Sequence, residues 1–325
     1  MIKTHLYRLY IAAVVMALFT TSAASQESWP SSPVRIVVPY APGGSIDILA
    51  RQLSNALSEI LNATFVVENK SGAAGAIGTQ YVASQPADGY TFLFTTVSHT
   101  LAPSLRDLPF DPQKDFVAVI NVADSPQVLI RNPSLKVETL QELINMAKSQ
   151  PGKLSYGHSG HGAPANIAME LLKSKADIDI LGIPYKGAGP VVTAVRANEV
   201  PLGMASLPAV ASLLSSGQIA ALGVSTPQRN KLIPQVPTFA ESGVPGYNFN
   251  TWLGLVAKVG TPKEDMAKLV DATNEALANP KILKAFTSQG FDTVGGTSKD
   301  FELMLNDEFA RWPALLKEAG IEKQQ

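Results

Sequence analysis

The stretch VRIVVPYAPGGSIDILARQLSNALSEI, Val34 to Ile60, decides the fold. Val34 to Tyr40 is a near-continuous apolar run, as a strand covered on both faces requires. Ala41-Pro42-Gly43-Gly44 makes a turn. From Ser45 a helix follows, with Ile46, Leu49, Leu53, Leu57 and Ile60 on one face. Strand, glycine turn and helix form the first half of a βαβ unit, and the pattern continues. Thr64 to Glu68 reads as a second strand, Gly72 to Ser84 as a glycine-rich helix start and helix, and Tyr90 to Thr96 as a third strand.

Outward from this unit, Phe116 to Ile130 holds two β-like runs joined by Asp124-Ser125-Pro126. A long extended segment of this kind suits a crossing from one lobe to another. Thr139 begins a capping box with Glu142 and opens a helix from Leu140 to Lys148. The pattern then restarts with a strand from Leu154 to Gly157, a glycine-rich loop and a helix from Ala165 to Lys173. Strands Ile180 to Tyr185, Val200 to Met204 and Ile219 to Val224 alternate with helices Pro190 to Ala197 and Ala209 to Ser215. Asn248 to Ala257 is a second extended run, suited to a return crossing, and three helical patterns finish the chain. The expected fold is α/β, a two-lobe clamshell in which each lobe is a mostly parallel sheet flanked by helices. Residues 26–125 with 250–325 would form the first lobe and 126–249 the second, with ligand in the cleft between.

The chain has 325 residues, enough for two lobes, and at 46% hydrophobic and 16% charged it has the composition of a folded protein. A net charge of −1 leaves no basic surplus for a phosphate backbone, so nucleic acid is not an expected partner. Residues 1–25 read as a secretory signal: Lys3 and Arg8, then the apolar run Ile11 to Phe19, then small residues, with cleavage near Ala24 to Gln26. There is no cysteine, which excludes disulfides, thiolate metal sites and a cysteine nucleophile.

In an open α/β sheet ligands sit at the carboxyl ends of strands. Three glycine-rich loops fall there. Tyr40 and Pro42-Gly43-Gly44-Ser45-Ile46-Asp47 form the first. Free N–H groups at a helix start attract anions, and Gly43 and Gly44 allow close approach to the backbone. Asp47 in the first helical turn complements the helix dipole or, alternatively, accepts a hydrogen bond from part of the ligand. Gly72, Gly75 and Gly78 in the second loop read as close helix packing. The third, Tyr156-Gly157-His158-Ser159-Gly160-His161-Gly162, opens the helix of the second lobe as the first loop opens that of the first. Two helix starts facing one cleft would hold one anion from both sides.

His158, Ser159 and His161 also raise an enzyme reading. Gly-His-Ser-Gly-His misses the nucleophile elbow at its last position, and no histidine follows residue 161. The Ser, Asp, His order of α/β-hydrolases is therefore excluded, while orders through His99 or His158 stay open. A metal site lacks further ligands and no HExxH occurs, so neither metal nor cofactor is expected. His99, His158 and His161 fall in loops expected at strand ends. As imidazole donors to a carboxylate they would make affinity pH-dependent.

These residues resemble the solute receptors of tripartite tricarboxylate transporters, the Bug or TctC-like family, across the whole mature chain. The resemblance rests on Val34 to Arg51, Val67-Glu68-Asn69-Lys70 with the following glycines, Asp88-Gly89-Tyr90, Leu108-Pro109-Phe110-Asp111, Pro184-Tyr185-Lys186-Gly187, Val236-Pro237-Thr238, Trp252-Leu253-Gly254 and Gly295-Gly296-Thr297. It implies a periplasmic-binding-protein clamshell, a monomer that hands a small anionic ligand to membrane permease subunits. It also implies backbone amides holding a carboxylate, which points to Gly43, Gly44, Ser45, Asp47, Ser159 and Gly160, with Thr96 and His99 lining the cleft. The chain departs from the family pattern at Asn166, where the family often has histidine, and at Met204-Ala205-Ser206, where the family usually has an acid. The missing acid argues against an amino-acid ligand, whose ammonium needs a counter-charge, and favours a di- or aromatic carboxylate. A periplasmic hydrolase of small esters and a ligand sensor for a membrane kinase are the competing readings.

Overall fold

The computed structural model describes residues 29–321 and 323, so the expected signal segment lies outside the described residues. Two mixed sheets carry the chain. In the first, β1 (Val34–Val38), β2 (Phe65–Asn69), β3 (Thr91–Thr96), β4 (Phe116–Ser125), β10 (Thr251–Lys258) and β11 (Asp292–Thr293) stand in the order β11-β4-β10-β3-β1-β2. In the second, β5 (Gln127–Arg131), β6 (Ser155–His158), β7 (Leu181–Pro184), β8 (Leu202–Ser206) and β9 (Ala220–Val224) stand in the order β7-β6-β8-β5-β9.

The two orders match: each sheet has its first strand between its second and third, and a strand that arrives from the other lobe lies beyond the third. That arriving strand runs against its neighbours: β10 is antiparallel to β3 and β4, and β5 is antiparallel to β8 and β9. The other large strands of each sheet share one direction, because each of them returns through a helix. Among these large strands the one reversal per sheet comes from chain entering from the opposite side; the two-residue β11 also runs against β4.

The first crossing is tighter than its sequence suggests. β4 runs through Asp124 and Ser125, which pair with Trp252 and Thr251, and Pro126 alone separates it from β5. Proline has no N–H for a ladder, so the break falls on it. The return path lies beside it. Gln127 N donates to Ser225 Oγ at 2.9 Å, Phe249 N to the Ser225 carbonyl at 2.9 Å, and Gln127 Nε2 to Thr251 Oγ1 at 3.0 Å.

Helix α1 (Ser45–Ile60) follows β1 and buries Leu49, Leu53 and Leu57, with Ile46 and Ile60 half-buried. A short 3₁₀ turn at Ala73–Gly75 leads into α2 (Ala76–Ser84), and Gly78 there has no room for a side chain: a Cβ would stand 2.7 Å from the Lys70 carbonyl and from Pro39. Helix α3 (Ser98–Leu105) follows β3, α4 (Leu140–Ser149) follows β5, and α5 (Pro164–Ala176) follows β6. Then come α6 (Ala188–Arg196), α7 (Leu207–Ser215), α8 (Lys263–Ala278), α9 (Pro280–Ser288) and the long α10 (Ser298–Glu318). One apolar cluster runs from Val37 and Leu93 of the first sheet through Trp252, Phe301 and Trp312 to Tyr156, Leu202 and Met204 of the second. Helix α10 thus ties both lobes together by burial, the main favourable term in folding. Its buried Glu308 fixes α3 to it, accepting from Thr100 Oγ1 at 2.6 Å and Trp252 Nε1 at 2.9 Å, with Arg311 Nη2 3.1 Å from the other oxygen.

Candidate ligand cavity between the lobes

A cavity of about 740 Å³ lies between the lobes. Tyr40, Ala74 and α3 with the following Arg106 supply the wall from the first lobe. The loop His158 to Ala163, the start of α5 with Asn166 and Glu170, and Gly182 supply the wall from the second; Ala319 to Ile321 close one side. The lobes approach closely here, since a side chain at Gly162 would meet Leu105 at 3.4 Å.

The second-lobe loop is built by β6 and α5. His158 ends β6 and is fully buried. Its Nδ1 is 3.0 Å from the Gly160 carbonyl, which can only accept, so Nδ1 carries the proton and Nε2 is left as a lone pair in the neutral ring. That Nε2 is buried and has no partner among the described residues. Burial holds the imidazole below its ordinary value, with the Gly160 carbonyl opposing. The His161 ring stands 5.2 Å away and is exposed. Gly160 and Gly162 adopt φ of +117° and +72°, the left-handed region that glycine reaches without steric penalty. Gly162 N donates to Asn166 Oδ1 at 3.0 Å. Asn166 Nδ2 donates to Tyr156 Oη at 3.1 Å, and that hydroxyl donates to Glu170 Oε1 at 2.7 Å. Lys173 Nζ holds the second Glu170 oxygen at 2.8 Å, so this carboxylate is already matched.

The first-lobe loop enters the cavity wall only through Tyr40. Its hydroxyl is buried without a hydrogen-bond partner; burial pushes it up to about 12, with nearby Ser98, Thr95 and the Arg106 charge offsetting this in part. Pro42, Gly43 and Gly44 are exposed, and Ser45 and Ile46 half-buried, outside that wall. Asp47 is buried and engaged within its own lobe. Its oxygens accept from Gly43 N at 2.9 Å, Arg51 Nε at 3.1 Å and Asn69 Nδ2 at 2.9 Å, with Arg51 Nη2 at 3.0 Å. Burial pushes the carboxyl up, but these partners outweigh it and leave it below its ordinary value.

Two expected lining residues lie elsewhere. Thr96 ends β3 opposite Leu253, with a buried, unpartnered hydroxyl outside the cavity wall. His99 is inside α3 rather than in a loop and points into the core. Its ring meets Phe116 edge-on at 5.2 Å and Phe309 at 6.2 Å, and burial lowers it to about 4, opposed by the Pro112 carbonyl. Pro103 lies within α3, which is held against α10 through Thr100.

Arg106 lines the cavity too, and sequence reading missed it. Its Nε is buried without an acceptor, and no carboxylate lies within ion-pair distance among the described residues. An isolated arginine after an apolar helix has no local pattern to announce it. Among the described residues no group of three or more His, Asp or Glu stands together as metal ligands would, and no helix is long and apolar enough to cross a membrane.

Residues 49–321 match the family model described as the tripartite tricarboxylate transporter family receptor. The protein BugT of Bordetella pertussis is similar, 35% identical over 94% of this chain and 96% of its own. So is the Rhodopseudomonas palustris protein Rpa4515, solved with adipate, at 36% identity and a TM-score of 0.79 over 91% of this chain and 100% of that one. MatC from the same organism, with bound malate, is 27% identical with a TM-score of 0.74 over 89% and 100%. Members of this family are periplasmic solute-binding receptors rather than enzymes, which sets the hydrolase alternative aside. Shared two-sheet architecture, a cavity between the sheets and the family match agree, and the chain belongs to the tripartite tricarboxylate transporter receptor family.

Proposed function

We propose that this receptor captures a small carboxylate, a di- or tricarboxylate or an aromatic acid, between its lobes and delivers it to tripartite-type permease subunits. It works in the periplasm as a monomer, after loss of the signal segment near Ala24 to Gln26. The observation that carries the reading is that Arg106, whose Nε is buried without an acceptor, lines the same cavity as the start of α5. A helix start and a guanidinium both favour a negative group, and Arg presents a planar fork that fits a carboxylate. Tyr40 Oη, His158, Ser159, Gly160 and His161 complete the proposed pocket. Gly43, Gly44, Ser45 and Ile46 would join it through the free amides at the start of α1. Carboxylates bound by two related structures, adipate and malate, support the same class.

An amino acid is disfavoured because its ammonium needs an acid. Glu170 is occupied by Tyr156 and Lys173, and the end of β8 is Met204-Ala205-Ser206. Calorimetry of the purified protein against dicarboxylates, aromatic acids and amino acids tests this. Micromolar or tighter binding of at least one carboxylate is expected; binding of an amino acid alone would overturn the reading.

A further inference from the structure

The cavity wall makes two unlike demands on what fills it. Arg106 needs an acceptor: its Nε is buried and unpaired, whereas Arg51, Arg131, Arg229 and Arg311 each reach an acid and Arg35 donates to three side-chain oxygens. Arg106 follows the last residue of α3, and a cation at a helix C-terminus is ordinarily favourable. That placement accounts for the charge but not for an Nε–H buried without an acceptor in a residue that lines the cavity.

His158 needs the opposite. The Gly160 carbonyl takes the Nδ1 proton, so Nε2 of the neutral ring can only accept. The residue is fully buried, Nε2 has no partner, and it reaches Gly182, where a Cβ would stand 3.3 Å from it; both residues line the cavity. A buried acceptor left unmatched is unfavourable, so the molecule that fills the cavity is expected to bring a donor. The titratable side chains about this ring are His161, Glu170 and Lys173, and the last two pair with each other.

We propose that His158 selects, among carboxylates, those that also carry a neutral hydrogen-bond donor such as a hydroxyl, the acid being held by Arg106 and the donor by His158 Nε2. The inference rests on the carboxylate reading above and narrows its substrate class to hydroxy acids. A site built to hydrogen-bond a ligand hydroxyl discriminates strongly against the analogue lacking it, because the site's own buried polar atom is then left unpaired.

Two matched pairs test it by calorimetry at pH 8: succinate against malate, and benzoate against 3-hydroxybenzoate. Within at least one pair the hydroxylated acid is expected to bind at least tenfold tighter. His158→Leu should erase that preference, bringing the two members of a pair within about twofold of each other. His158→Gln, which keeps an acceptor and guards against a folding defect in the leucine variant, should retain much of it. Arg106→Gln should weaken both members of a pair alike, tenfold or more. Equal binding within both pairs, or a preference that survives His158→Leu, would overturn donor selection alone. Failure of all four acids to bind, with amino acids binding, would remove the carboxylate reading and this inference with it.

Discussion

The loops after β1 and β6 occupy equivalent places in two sheets of matching order, and they use the same backbone device. In each, a glycine N–H just before the helix donates to the side chain four residues on, Gly43 to Asp47 and Gly162 to Asn166. The acceptor stands at the third helical position in both cases, where it satisfies a donor that would otherwise be orphaned at the helix start. The chemistry behind it differs. Asp47 is charged and held by Arg51 and Asn69, so the first loop is neutralised from within. Asn166 is neutral and passes its hydrogen bond through Tyr156 to Glu170. A helix start with an aspartate already on it has part of its attraction for a ligand anion cancelled; one with an asparagine does not. The second loop is also the one that lines the cavity most fully.

Swapping these two residues is the severest way to break the comparison. Asp47→Ala removes the acceptor of the Gly43 N–H and of two side chains, and is expected to cost about 3 kcal/mol in urea unfolding. Asp47→Asn turns an amide group toward donors and should cost about 2 kcal/mol. The pH dependence follows from the lowered carboxyl. Its folded value is below 3.8, so its stabilisation is complete above pH 3.8 and lost as the pH falls through the folded value. Asp47→Asn should therefore flatten the acid limb of the stability curve. The reverse change, Asn166→Asp, sets a second carboxylate against the one Tyr156 proton that Glu170 already uses, and puts negative charge on the cavity wall. Carboxylate affinity should fall about tenfold or more. If Asn166→Asp leaves affinity intact, the second loop does not face the anion.

A smaller effect sharpens the comparison through protons. The first loop's Asp47 is ionised throughout the neutral range, so no titration of that loop is expected between pH 8 and 5. His158 differs, since burial keeps it neutral and Nε2 cannot donate to a carboxylate until the ring takes up a proton. For a plain carboxylate, affinity should rise as the pH falls from 8 toward 5, by no more than about tenfold per unit for one proton. It levels off once the free protein's His158 is itself protonated. Calorimetry in buffers of different ionisation enthalpy would show the proton uptake, and His158→Leu should abolish both slope and uptake.

How far such contrasts could be read from the sequence depends on their range. The apolar run of β1 and the stripe of α1 are local patterns, and both appear where the periodicity placed them. The glycine loop around Ser159 is local too, because positive φ at Gly160 and Gly162 asks for that residue type. Helix caps were legible only in part. Thr139 Oγ1 accepts from Glu142 N as expected, but the Glu142 carboxylate reaches back to Glu138 N. The reciprocal box stands instead at Thr297 and Asp300, where aspartate takes the place of the longer residue that the motif usually shows. The place of Arg106 on the cavity wall and the reversed strands β5 and β10 depend on residues far along the chain, and no window of sequence contains them; Asp47 is held mostly locally, by Gly43 and Arg51 four residues to either side, and only Asn69 lies further off.

The mildest change asks the most direct question of the first loop. Gly43 has φ of +84°, and its N–H serves Asp47, so the fold itself explains that glycine. Gly44 is different. Its φ of −75° is open to any residue, and a methyl group there would meet nothing closer than the Ala41 carbonyl at 3.8 Å. Gly44→Ala should leave stability within about 0.5 kcal/mol of the parent, since a compatible backbone also gains from a less flexible unfolded chain. The fold therefore gives no reason for glycine at 44, and a ligand that must approach the amides at the start of α1 does. A drop in carboxylate affinity at unchanged melting temperature would bring the α1 start into the binding site from the first lobe. Unchanged affinity would leave Tyr40 and Arg106 as that lobe's contribution, and the grip on the anion would be one-sided in its backbone amides.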